Sequence, residues 1–197
     1  SNDYIYTKGW TENHGNMKKL IDHYKHTESP RRILPLNAYF HFYIGDRQVG
    51  LDGLKEALDY CMNTRIAPMF ASDYVSVAKD FTELRQFFLQ DSSYLILHNG
   101  SLRTLRIDNS HPSGFPDLSR SKGVLGYLSY QNSLYIHLDE STVQQIYLQD
   151  TKPREVYLKV GSHRISEWKS TKDSVSFMTI GTGKAEFEVS NLHPLTT

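Results

Sequence analysis

The chain has 197 residues, enough for one large domain or two small ones and ample to bury a core. Basic and acidic side chains balance at 22 each, which leaves no electrostatic footprint for nucleic acid or an anionic membrane surface. Hydrophobic residues at 39% and charged residues at 22% exclude wholesale disorder, and no apolar run approaches the roughly 18 residues that span a bilayer.

No signal peptide is visible, and Ser1-Asn2 reads as a scar left by tag removal. Asn16 is placed to cap a first helix carrying Met17, Leu20, Ile21 and Tyr24 on one stripe. His23 and His26 lie three apart on that helix, a spacing that suits a metal, but Lys18, Lys19 and Lys25 around them mark a solvated face. Pro30 and Pro35 in "ESPRRILP" break the helix. Asn37–Tyr43 then reads as a strand, with Gly45 and Asp46 opening a loop. Leu51, Leu54, Leu58, Cys61 and Met62 mark a second amphipathic helix. The single cysteine, Cys61, sits on that stripe and excludes an internal disulfide or a multi-cysteine zinc site. "RIAPMFAS" reads as a further buried strand, and Ser72 is a candidate cap for a third helix through Val75 and Ala78. Helix, strand, helix, strand, helix is the order of a parallel α/β unit.

After about Phe81 the pattern changes. "YLILHNGSLRTLRI" is two alternating runs joined by Asn99-Gly100, a hairpin signal; the glycosylation sequon there is explained by the turn. "VLGYLSY", "SLYIHLD", "VQQIYLQ", "REVYLKVG", "SVSFMTIG" and "KAEFEVSN" follow at a spacing of about ten residues, the signature of an antiparallel sandwich. "IGTGKAEF" precedes a strand pattern and reads as a hairpin turn, not as a phosphate loop. The stretch Ser110–Gly126 reads as a long loop with Phe115 and Arg120 at its tip. Trp168 is either a sugar platform or buried near a strand end. The expected fold is α/β plus all-β: residues 1–85 as a partial (β/α) barrel segment, and 86–197 as a β-sandwich. Two or three parallel strands are too few to stand alone, so the first module is expected to be the end of a larger barrel.

In a strand, Tyr39, His41 and Tyr43 share one face and Phe40 and Phe42 the other. His41 lies near the strand's C-terminal end, where catalytic groups collect in α/β barrels, and Ser72 holds the matching position after the next strand. A histidine there can act as general acid; a buried histidine held by a carbonyl or a tyrosine is the alternative.

"YTKGW" with Trp10, then "TESPRRILPLNAYFHFYIGD", then "LDGLKEALDYCMNTRIAPMFASDY", resembles the C-terminal part of a polysaccharide deacetylase barrel. The aromatic-rich "YFHFY" followed by a sandwich is most similar to the exopolysaccharide-modifying members linked to biofilms. The resemblance implies that His41 protonates the departing amine after metal-bound water attacks an acetamide. It implies that Tyr39, Tyr43, Asp46, Trp10 and Ser72 line the substrate cleft, and that the enzyme works outside the cytoplasm. The family's acidic pair and its His-x-x-x-His pair are missing from this chain. The zinc-like divalent metal is therefore expected in an upstream part of the same parent chain, and this piece is expected to be inactive alone. The expected partners are a polysaccharide and that upstream segment, with no nucleic acid and no membrane span. The alternative is a non-catalytic module whose sandwich binds carbohydrate or protein.

Overall fold

The computed structural model describes residues 15–27, 35–46, 48–64, 66–108 and 114–193. Two compact units part between Ile66 and Ala67, so the third helix belongs with the strands that follow it. Among the described residues no helix is long and apolar enough to cross a membrane.

Among its described residues the first unit holds two α-helices, α1 (Gly15–His26) and α2 (Gln48–Asn63). α1 begins at Gly15, so Asn16 lies inside its first turn and not ahead of it. Its stripe buries Ile21 and Tyr24 as expected. α2 departs from the expected stripe. Leu54 is buried, but Leu58 and Met62 are exposed, and the buried face is Gly50, Gly53, Leu54 and Ala57. That face has the i, i+3, i+4, i+7 spacing of an amphipathic helix, written in small side chains. Small residues let a neighbouring backbone come close, and Gly50 shows it. A methyl group there would stand 2.5 Å from the Ile44 carbonyl oxygen.

The strand expected over Asn37–Tyr43 does not form. Residues 35–41 are irregular, and Phe42–Asp46 is a 3₁₀ turn closed by the Ile44 N–H donating to the His41 carbonyl at 3.0 Å. Residues 66–70 of "RIAPMFAS" are likewise irregular. A strand needs a neighbour for its N–H and C=O groups, and among the described residues up to Glu83 no strand exists to supply one. Phe40 turns inward against Ile44, Leu54 and Leu20, whereas Phe42 is 96% exposed.

The described residues of the second unit form α3 (Ala71–Glu83) and then eleven strands: β1 (Arg85–Phe88), β2 (Ser93–Leu97), β3 (Thr104–Asp108), β4 (Phe115–Pro116), β5 (Val124–Tyr130), β6 (Ser133–Leu138), β7 (Val143–Gln149), β8 (Tyr157–Gly161), β9 (Arg164–Ser170), β10 (Val175–Ile180) and β11 (Phe187–Ser190). One sheet has the order β1-β2-β7-β4 and a second β3-β6-β5; β8 pairs with β11 and β9 with β10. Every pairing among these strands is antiparallel. Ile96 and Ile146 from the first sheet join Tyr127, Leu134, Ile136 and Leu138 from the second in one buried cluster. Full burial of a side chain such as Ile136 contributes about 2 kcal/mol.

Three expected local features differ. Asn99-Gly100 does not close a hairpin, because β2 pairs with β1 and β7 while β3 pairs with β6. The chain leaves one sheet for the other there, with Gly100 in the left-handed region at φ 83°. The loop at Gly181–Glu186 likewise links β10 to β11, which pair with different strands. Of the stretch Ser110–Gly126, the described residues 114–126 are tied down rather than free. β4 pairs with β7, Lys122 and Gln145 exchange backbone hydrogen bonds at 2.8 and 3.1 Å, and Phe115 packs edge-on to Tyr127.

The Gly50 contact gives a test. Gly50→Ala gains about 1 kcal/mol of helix propensity but collides with backbone, so the first unit is expected to lose about 1–2 kcal/mol net. Gly45→Ala, where an added methyl meets nothing within 4 Å, is expected to stay within about 0.5 kcal/mol. Urea denaturation followed by the helical circular-dichroism signal measures both.

Candidate functional site

The structure brings together three of the six residues singled out for the site. The His41 ring stacks on Tyr43, with centroids 4.9 Å apart and planes at 11°, and meets the Tyr39 ring edge-on at 5.4 Å. His41 is half-buried, and Tyr39 and Tyr43 are 49% and 40% exposed. The three rings therefore line up although no strand aligns them. An irregular stretch presents Tyr39 and His41 to the same side, and the 3₁₀ turn brings Tyr43 back onto the imidazole. Asp46 ends that turn and is exposed. Trp10 lies outside the described residues. Ser72 belongs to the second unit, in the first turn of α3, and its expected capping role is not taken up. The residue ahead of the helix is Phe70, with no side-chain cap, and the Ser72 carbonyl accepts the Ser76 hydroxyl at 3.1 Å.

Sequence reasoning passed over a buried ionisable pair in the second unit, Asp80 and His98. Asp80 is the one buried residue of α3, at 1% exposure. Its carboxylate accepts the N–H of Ser101 at 2.7 Å, the N–H of Leu102 at 2.8 Å and the N–H of Asn99. The His98 Nδ1 stands 2.9 Å from Asp80 Oδ2. A carboxylate can only accept, so Nδ1 is the donor to Asp80, and the Gly100 N–H approaches the same nitrogen at 3.0 Å. Burial pushes the Asp80 carboxyl up, but the three backbone N–H donors and His98 outweigh it and hold the acid below its ordinary value.

A carboxylate orienting an imidazole is the arrangement that readies a general base. Here Nε2, the nitrogen that would act, is buried, and the His98 side chain is fully enclosed. The pair therefore has no access to a substrate and works as a clamp. The sequence signal was weak, because α3 carries three acids, Asp73, Asp80 and Glu83, and only the fold encloses Asp80.

A second polar group decorates the other side of the β1-β2-β7-β4 sheet. Asp91 accepts the Ser93 hydroxyl at 2.6 Å and the Tyr147 hydroxyl at 2.7 Å, and Gln145 Nε2 donates to the Tyr147 oxygen at 2.7 Å. The Ser93 and Tyr147 hydroxyls hold the exposed Asp91 carboxyl below its usual range. Arg120, expected at a loop tip, lies with its guanidinium 4.1 Å from the Tyr147 ring centre. Trp168 stacks on Phe177 at 5.6 Å and packs on the Leu125, Leu158 and Ile165 cluster, so it is not a bare platform. His26 is engaged locally, with Nδ1 2.6 Å from the Asp22 carbonyl. Among the described residues no three histidine, cysteine or acidic side chains converge to hold a metal.

Asp80→Asn is expected to destabilise the second unit by about 3 kcal/mol, because an amide cannot accept all four donors. The native Asp80 carboxyl has a depressed pKa, so its contribution is complete above the unfolded carboxylate value of about 3.9 and is lost as pH falls through the lower folded value. Thermal melts across an acid series are expected to show wild type losing stability below about pH 4. The variant should fall less steeply over the same range, by about one proton's worth of slope.

Comparisons with protein-family models, with curated proteins and with solved structures return no match to this chain, so its residues and their geometry carry the functional reading.

Proposed function

We propose that this chain is the C-terminal part of a polysaccharide deacetylase-like hydrolase that removes N-acetyl groups from an exopolysaccharide outside the cytoplasm. In this reading a partial (β/α) barrel segment precedes an antiparallel β-sandwich. The shared core of Ile96, Ile146, Leu134 and Ile136 supports the sandwich. The observation that carries the functional reading is the His41 imidazole set between the Tyr39 and Tyr43 rings beside solvent. Tyrosine rings offer a flat apolar face to a pyranose and a hydroxyl to its polar edge. Hydrolysis of an acetamide breaks a C–N bond, and the departing amine must gain a proton. An imidazole is a suitable donor near neutral pH, and His41 is assigned that role, with Tyr39, Tyr43 and Asp46 along the cleft.

The divalent metal that the resemblance implies does not fit the described residues, which bring no ligand set together. Its ligands are assigned to the upstream segment of the parent chain, and no step is routed through it here. Alone, this chain is proposed to be inactive. A second reading, a non-catalytic carbohydrate- or protein-binding module, is favoured by the array of exposed Asp91 and Arg120 with half-buried Gln145 and Tyr147.

Acetate release from an acetylated aminosugar polymer, measured on the parent chain that includes the upstream segment, separates the two. His41→Ala is expected to cost about 10²–10⁴-fold in kcat, the usual contribution of general acid catalysis. Undiminished release would return His41 to a packing role. Polymer binding without acetate release, lost on Tyr147→Ala, would establish the module reading.

A further inference from the structure

The Asp80 clamp holds an asparagine prone to a chemical change. Asn99 is followed by Gly100, and a glycine has no Cβ to shield its backbone nitrogen from the preceding side chain. Their reaction gives a cyclic imide. A bond forms between the Gly100 nitrogen and Asn99 Cγ, the bond from Cγ to the side-chain nitrogen breaks, and the Gly100 proton leaves with that nitrogen as ammonia. Solvent water then opens the imide on either side, giving aspartate or isoaspartate.

The closed loop holds the two reacting groups apart. Asn99 is exposed, and its Nδ2 donates to Glu83 Oε2 at 2.7 Å. The Gly100 N–H lies instead 3.0 Å from Nδ1 of the enclosed His98 ring. On either side of Gly100 the backbone is pinned to one carboxylate. The Asn99 N–H donates to Asp80, as do those of Ser101 and Leu102 at 2.7 and 2.8 Å. The loop therefore directs the Gly100 N–H at the buried ring and the Asn99 amide at α3. Charge acts in the same direction. The attacking nitrogen gives up its proton and the imide closes through an anion, which the neighbouring Asp80 and Glu83 carboxylates oppose.

We propose that Asn99 is a site of spontaneous deamidation gated by the Asp80 clamp: closed, the loop keeps its amide, and open, it is converted irreversibly. The product does not fit the closed loop. Isoaspartate adds a carbon to the main chain between donors that converge on one carboxylate. Either product sets a new carboxylate against Glu83 where an amide donor stood. A local opening thus becomes a permanent release of α3 from residues 98–102.

The test follows Asn99 by peptide mapping, mass spectrometry and isoaspartyl methyltransferase labelling during warm incubation at neutral pH. Folded wild type is compared with the same chain unfolded in urea, where Asn99 is expected to convert at least about 100-fold faster. Urea below the unfolding transition is expected to raise the wild-type rate while circular dichroism still reports a folded chain. Asp80→Asn is expected to raise it about 100-fold, the equivalent of its loss of stability. Glu83→Ala, which leaves the clamp in place, is expected to raise it by several fold. Equal rates in folded and unfolded wild type, or no conversion of Asn99 in either, overturn the proposal. So does a wild-type rate that rises only with global unfolding, or an unchanged rate in a folded Asp80→Asn protein. The wild-type urea series decides the matter even where a variant fails to fold.

Discussion

A single carboxylate governs how the strand-rich unit is assembled. α3 buries no aliphatic side chain fully; Val75 and Phe81 face outward, and its one enclosed residue is Asp80. An isolated helix of this length is marginal, so α3 depends on what Asp80 grips. The grip falls on residues 98–102, where the chain leaves the sheet of β2 for that of β3. The backbone N–H groups of Asn99, Ser101 and Leu102 belong to no ladder, and enclosing them without acceptors would be costly. The carboxylate gathers them at one point, and His98 supplies the fourth donor. The crossing between the two sheets, and with it the placing of β3 beside β6, hangs on that arrangement.

The same logic of donors and acceptors distinguishes this carboxylate from two arginines of the same unit. Asp80 has its donors in place, and Arg103 and Arg164 hold buried guanidinium nitrogens without a hydrogen-bond acceptor among the described residues. A carboxylate whose acceptors are all met rigidifies a core, whereas buried donors without acceptors cost stability. Gly100 seats the clamp loop against its neighbour, since an added methyl there would stand 2.9 Å from the Glu140 carbonyl oxygen. The clamp loop and the turn that carries Glu140 therefore sit in close contact.

In the helical unit the controlling feature is close approach. Gly50, Gly53 and Ala57 make a face smooth enough for the Ile44 backbone to lie against it. That contact seats the 3₁₀ turn, and the turn swings Tyr43 onto His41. The ring cluster is thus a consequence of small residues on a neighbouring helix, not of strand alternation.

Strands with continuous burial or clean alternation were legible in the sequence, and β5 and β7 fall on "VLGYLSY" and "VQQIYLQ" residue for residue. β9 was hidden because its alternation is broken at Glu167, left-handed at φ 53°, where its register with β10 shifts. β1 shows no alternation at all, being exposed along its length. The Asn99-Gly100 signal was right about a turn and wrong about what it joins, since a left-handed glycine satisfies the local geometry of either. Periodicity by itself marked the helices of the first part and the alternating strands of the second, but the strands it placed at Asn37–Tyr43 and in "RIAPMFAS" do not form, and Tyr39, His41 and Tyr43 are brought together by the 3₁₀ turn and not by alternation. Pairing, register and the Asp80 clamp were decided only in the tertiary structure. Those features depend on contacts between residues far apart in the chain, and local pattern holds no record of which backbone donor will lack a neighbour.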